Sequence, residues 1–208
     1  MVIMSVAMKV ALRIGHIKRG VPFAITGFYA LGSHTSVQKA FSRLTKDGVL
    51  ERVSKGFYVR PKPMVSMPSI KITTSAENVA KAWARENGYK LVSQGQEAAY
   101  RLGFQSQAPM KKVFWSNGPS REFRVGNQVV EIRRISSQKL RWQNAPEGAL
   151  LRGLLVTPPE SIEVFELEQA MRRLSLTPIE ERLAVKKLCA LPLLNGWQAK
   201  LEQLGQAN

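Results

Sequence analysis

The chain has 208 residues, 44% hydrophobic and 22% charged, a composition suited to a folded protein with a buried core and not to a disordered one. Its 31 Lys and Arg against 15 Asp and Glu give a formal net charge of +16, which draws it towards polyanions, nucleic acid above all. No run approaches the ~18 apolar residues a membrane span needs, and the single Cys189 cannot form an internal disulfide, so a cytoplasmic protein with no membrane partner is expected.

The charge is unevenly spread. Residues 1–62 carry a net +9, residues 63–143 a net +8, and residues 144–208 a net −1. Two basic regions therefore precede a near-neutral tail.

In chain order, Ala7, Val10, Ala11, Ile14 and Ile17 recur at helical spacing, with Lys9 and Arg13 off that face. A short helical piece over Ile25 to Leu31 ends on Gly32, read as a left-handed cap or tight turn. Ser33 to Thr35 supplies capping side chains for a helix that runs to Asp47 and stops at Gly48. Val37, Ala40, Phe41 and Leu44 form its apolar stripe.

Val49–Val53 and Phe57–Val59, joined by Ser54-Lys55-Gly56, read as a hairpin. Arg60-Pro61-Lys62-Pro63 suits neither a sheet ladder nor a helix, and a domain boundary is placed there.

Beyond it, Thr74-x-x-Glu77 and Ser93-x-x-Gln96 read as capping signals for two helices, to Gly88 and to about Leu102. Lys112–Trp115, Arg121–Val125 and Val129–Ile135 read as strands, the last two joined at Gly126-Asn127. Helices are expected from Asn144 to about Leu155, then over Ile162–Leu174, Pro178–Ala190 and Asn195–Leu204. Thr177, Pro178 and Glu180 give the third of these a strong start.

The fold class is therefore α+β. A winged helix-turn-helix at 1–62 precedes a mixed α/β effector domain at 70–208, with a small antiparallel sheet and C-terminal helices.

Helix, short helix, tight turn, amphipathic helix and hairpin form the order in which such a module sets its second helix in the major groove and its wing on the backbone. Thr35, Ser36, Gln38 and Ser42 can hydrogen-bond bases or phosphates, Arg43 can read a guanine bidentately, and Lys39 and Lys46 can neutralise phosphates. Lys55 sits at the hairpin tip as a wing contact. Against this stands the ordinary solvated face of a basic helix; the order of elements and the net +9 favour DNA.

A second basic surface is expected from Lys111, Lys112, Arg121, Arg124, Arg133 and Arg134. It reads equally as a nucleic-acid or acidic-partner dock and as a solvated sheet face with protected edges.

Asp47 is the only aspartate, and the clustered glutamates (Glu160, Glu163, Glu166, Glu168; Glu180, Glu181) lie on amphipathic helices. Two-metal phosphoryl chemistry needs converging carboxylates. The only histidines are His16 and His34, no His/Cys spacing suits a metal, and no Gly-Lys-Ser/Thr phosphate loop occurs. The chain is read as a binding protein, not an enzyme, with no cofactor and no metal.

Gly32-Ser33-His34-Thr35-Ser36-Val37-Gln38-Lys39-Ala40-Phe41-Ser42-Arg43-Leu44, with Gly48–Arg52 and Lys55-Gly56-Phe57-Tyr58, resembles the N-terminal module of AbiEi-type antitoxins of type IV toxin–antitoxin systems. Glu97–Phe104, Gln107-Ala108-Pro109 and Trp115–Arg121 resemble the body of the same group. The resemblance covers roughly residues 5–155. It implies an N-terminal domain that represses its own operon and a second domain that neutralises a nucleotidyltransferase-like toxin, not necessarily in a stable complex. The setting would be abortive infection, a phage defence. By position, the DNA role falls on Ser36, Gln38, Lys39, Ser42, Arg43, Lys46 and Lys55.

The leading expectation is thus an antitoxin and autorepressor with operator DNA and the cognate toxin as partners. Its alternative is a winged-helix transcription regulator whose second domain senses a ligand or dimerises, with no toxin partner. An enzyme steered along nucleic acid ranks third, for want of aspartates.

Overall fold

The computed structural model describes residues 4–63 and 71–207. The architecture is mixed α and β, and the chain divides into two compact units. One comprises the residues up to Tyr89 together with Glu122–Val130; the other comprises Lys90–Arg121 and the residues from Glu131 onward. The division thus falls at 89/90 and not at the expected 62–70, and residues 64–70 of that expected linker lie outside the described residues.

The first unit opens with α1 (Val6–Gly15), capped by the Ser5 side chain accepting from the Met8 N–H. A two-residue strand β1 (Phe23–Ala24) and a 3-10 helix (Ile25–Leu31) lead to α2 (His34–Lys46). Then come the hairpin β2 (Glu51–Ser54) and β3 (Phe57–Val59), the short pair β4 (Lys62–Pro63) and β5 (Lys71–Ile72), and α3 (Ala76–Glu86).

Val10 and Ile14 of α1, Ile25 and Phe28 of the 3-10 helix, Val37, Ala40 and Phe41 of α2, and Leu50 bury together as the core. Phe41 holds its centre, with Phe28 edge-on at 5.0 Å and Tyr58 edge-on at 4.9 Å between ring centroids. Fully burying side chains of this size contributes about 1.5–3 kcal/mol each. That is why a 3-10 segment and two- to four-residue strands hold their places here.

Several expectations need correction. Gly32 is extended (φ 167°), not left-handed. Its need for glycine is space: a Cβ there would stand 2.5 and 2.9 Å from the Val6 methyls of α1. Arg60–Pro63 does enter a ladder, since Lys62 and Pro63 pair antiparallel with Ile72 and Lys71. A two-residue edge pair asks little of a proline's missing N–H. β1 was not legible as a strand; it pairs with β3 in a three-stranded sheet ordered β1-β3-β2. The cap of α3 is Ser75, which accepts from the Asn78 N–H at 3.1 Å, one residue beyond the expected Thr74.

In the second unit, β6 (Leu91–Ser93), which the sequence did not signal, is followed by α4 (Gly95–Leu102) and β7 (Lys112–Ser116). The hairpin β8 (Arg121–Val125) and β9 (Gln128–Arg134) turns at Gly126-Asn127 as expected, and its tip belongs to the first unit. The sheet order is β6-β7-β9-β8, with β6 and β7 antiparallel.

The helices α5 (Pro146–Leu154), α6 (Val164–Arg173), α7 (Pro178–Cys189) and α8 (Gln198–Ala207) complete the unit. α4 and α5 meet closely because each carries a glycine at the contact. A Cβ at Gly95 would lie 2.7 Å from the Arg152 carbonyl, and one at Gly153 would lie 2.6 Å from the Leu102 side chain.

α5 starts after Ala145, with Pro146 in its first turn, and not at Asn144. α4 is preceded by Gln94, not Ser93, and has no side-chain cap. The Thr177–Glu180 capping box of α7 forms as expected. Cys189 packs beside this unit's core, and burial, followed by the charge of Glu202, pushes its thiol pKa up.

Candidate nucleic-acid interface

Helix α2 begins at Ser33, whose Oγ accepts from the Ser36 N–H at 3.2 Å and donates to Ser36 Oγ at 2.9 Å. His34 stacks on Tyr29 at 3.8 Å between centroids, tying this end of the helix to the preceding 3-10 turn. The other end stops at Asp47 and Gly48, the latter with φ 70°.

With Val37, Ala40 and Phe41 buried, the residues on the opposite side are fixed by about 100° of rotation per residue. Thr35, Lys39, Ser42 and Lys46 stand at the centre of the exposed face. Gln38 and Thr45 lie on one flank, Ser36 and Arg43 on the other.

All eight sequence-predicted contacts (Thr35, Ser36, Gln38, Lys39, Ser42, Arg43, Lys46 and Lys55) are exposed. Lys55 lies in the β2–β3 turn beside Gly56, whose φ of 77° is the left-handed conformation that such a turn favours glycine for.

The Gln38 flank faces the hairpin across an open groove of about 400 Å³. Gln38, Ser42, Thr45 and Lys46 line it from the helix, Arg52 and Tyr58 from the strands. Arg52 and Tyr58 stand opposite one another in the β2–β3 register. The two of them and Thr45 were missed in the sequence. Only the pairing register, invisible without a partner strand, would have placed them there.

Arg43 is on the far flank from this groove. The geometry brings Gln38, Ser42 and Lys46 together with the hairpin and leaves Arg43 and Ser36 apart.

Among the described residues Lys39, Arg43, Lys46, Arg52 and Lys55 form no ion pair. Other cations of this unit are spent on its structure. Arg60 donates to the carbonyls of Ile14, Gly15 and Ile17 at 2.6–3.1 Å, closing the end of α1. Arg19 donates to the Pro61 carbonyl at 2.9 Å, and Arg13 lies over the Phe28 ring.

The second basic surface is different. Lys112 pairs with Glu97 at 3.3 Å, Arg124 with Glu122 at 3.0 Å, and Arg133 with both carboxylate oxygens of Glu131 at 2.8 and 3.1 Å. Its members are not one set: Arg124 belongs to the first unit, and Lys111, Lys112, Arg121, Arg133 and Arg134 to the second. Ser120 accepts from the Arg134 backbone N–H at 2.8 Å. Half of the expected patch is therefore neutralised locally.

Among the described residues no three His, Cys, Asp or Glu side chains come together as a metal site, and no helix is long and apolar enough to cross a membrane.

The chain belongs to DUF6088, a family of unknown function, whose model matches residues 9–162. Among solved structures it is similar to the RV2827C protein from Mycobacterium tuberculosis, at 16% identity and a TM-score of 0.38, over 95% of this chain and 79% of that one. No curated protein matches it.

Proposed function

We propose that the chain binds double-stranded DNA through α2 and the β2–β3 hairpin, used as a winged helix-turn-helix, and represses transcription. The observation that carries this reading is the α2 face itself. It presents exposed hydroxyl and carboxamide groups between lysines and arginines that no carboxylate neutralises, beside a groove edged by Arg52 of the hairpin. Cations of this kind displace the counterions of the phosphate backbone, and the polar groups among them suit base edges.

The antitoxin role is the finer part of the proposal. It rests on the resemblance of residues 5–155 to AbiEi-type antitoxins, with operon autorepression by the first unit and antagonism of a nucleotidyltransferase-like toxin by the second. A non-catalytic role follows from the acid inventory, with Asp47 the only aspartate.

The test is binding of the purified protein to the DNA upstream of its own gene against a scrambled duplex, over a salt series. Preference for the upstream duplex that persists as salt rises is the expected result. Equal binding that collapses with salt would mean a polycation on phosphate and overturn the reading. Growth rescue on co-expression with the neighbouring toxin gene then tests the finer part.

A further inference from the structure

The second unit carries a cavity that the DNA reading does not use. It has a volume of about 310 Å³ and lies at the start of α4, between Gln94 and Gln96 on the helix side and Pro109, Met110 and Lys111 on the loop before β7, with Arg133 of β9 at its edge. A second cavity of about 430 Å³ adjoins it, sharing Gln96, Pro109 and Met110. Small-ligand sites fall in this size range.

Two independent features mark it. Gln94 is only 7% exposed, yet its carboxamide has no hydrogen-bond partner among the described residues while the residue lines the cavity. A buried carboxamide left unmade costs about 1–3 kcal/mol, so its retention points to a partner from outside the chain. The first turn of α4 also lacks a side-chain cap, so its N–H groups and the positive end of the helix dipole remain available.

The surrounding charge favours an anion. Lys111 forms no ion pair among the described residues, whereas the nearby carboxylates are already engaged. Glu131 is held by Arg133, and Glu97 by Arg101 at 2.7 Å and Lys112 at 3.3 Å. Met110, fully exposed, offers a polarisable thioether at the mouth of both cavities.

We infer that this cavity binds a nucleoside monophosphate. Its phosphate sits at the first turn of α4 with Lys111, and its base is read by the carboxamides of Gln94 and Gln96. A carboxamide donates and accepts at once, the pattern that matches the adenine edge, so AMP is the preferred probe.

The site lies wholly within the second unit, and its test needs no DNA. AMP, adenosine and inorganic phosphate are titrated separately into the full chain at 150 mM salt by calorimetry, with Gln94→Leu, Lys111→Ala and Lys55→Ala as variants. The expected result is saturable 1:1 binding of AMP, at least tenfold weaker in Gln94→Leu and in Lys111→Ala and unchanged in Lys55→Ala. Lys111 is exposed, so that variant reports on binding even if Gln94→Leu fails to fold. Equal binding of inorganic phosphate and AMP would overturn the nucleoside assignment. AMP binding that weakens equally in Lys55→Ala, or no binding, would overturn the site.

Discussion

Arg152 shows how a single residue can run against the grain of its surroundings. It is 3% exposed, has no carboxylate beside it, and leaves its Nε without a hydrogen-bond partner. Its one hydrogen bond donates from Nη1 to the Gln143 carbonyl at 2.6 Å. That carbonyl belongs to a stretch in which Trp142 and Gln143 both take positive φ, 54° and 40°. Burial lowers the guanidinium pKa from 12.5 to about 10, which corresponds to a penalty of about 3 kcal/mol for burying the charge. The unfolded chain holds the proton more tightly between those two values. The penalty is therefore fully present at all pH below 10 and is relieved only as pH rises through 10 towards 12.5. The charge-assisted hydrogen bond returns about 1.5–3 kcal/mol, so the two nearly cancel. Arg152→Met, which keeps the volume and removes both, should leave the melting temperature within about 4 °C of wild type at pH 7. Arg152→Ala should lower it clearly further, because the cavity is not refilled. A collapse of Arg152→Met to the level of Arg152→Ala would show that the guanidinium is indispensable to the strained Trp142–Gln143 turn.

Element by element, α2 makes separable demands on its two kinds of exposed side chain. Lys39 and Lys46 at the centre of the face, and Arg43 on the flank away from the hairpin, suit phosphates. Gln38, on the flank that meets the groove, suits base edges. Each of Lys39→Ala, Lys46→Ala and Arg43→Ala should reduce the slope of log affinity against log salt by about 0.9, on operator and scrambled duplex alike. Gln38→Ala should leave the slope unchanged and cost about 1–3 kcal/mol of operator preference alone. Loss of operator preference in Arg43→Ala with none in Gln38→Ala would place the base-reading face on the other flank. The existence of α2 and its apolar stripe was legible in the sequence because Val37, Ala40, Phe41 and Leu44 follow the helical period. The sharing of its polar side with Arg52 and Tyr58 was not, since that depends on a register between strands. The caps followed the same division. Thr177 to Glu180 is a complete local signal and formed as read, whereas Ser75 and Gln94 displaced the nearby Thr74 and Ser93 because packing, not local chemistry, sets where α3 and α4 start.

For the molecule as a whole, the composition of the first unit was the least legible feature, because a returning segment completes it. Proline spacing at residues 60–63 suggested a boundary, yet α3 lies in the first unit with the N-terminal core, and Thr26 donates to Glu86 across that interval. The tip of the β8–β9 hairpin then joins the same unit from about 40 residues downstream. Phe123, 1% exposed, sits 5.6 Å from Trp83 between ring centroids, and the Gln128 side chain accepts from the Ala76 N–H at 3.2 Å, at the start of α3. Neither contact has a local sequence signature; Phe123 reads only as one inward position of an alternating strand. Phe123→Ala in the full chain should therefore destabilise the first unit, by the ~3–5 kcal/mol typical of a buried aromatic removed from a core. The change should be visible as loss of amide-exchange protection in α3. Protection in α6 and α7, which lie in the second unit, is the comparison. If α3 kept its protection while α6 and α7 lost theirs, the hairpin tip would belong energetically to the second unit, and a cut near residue 62 would be the better description of the first.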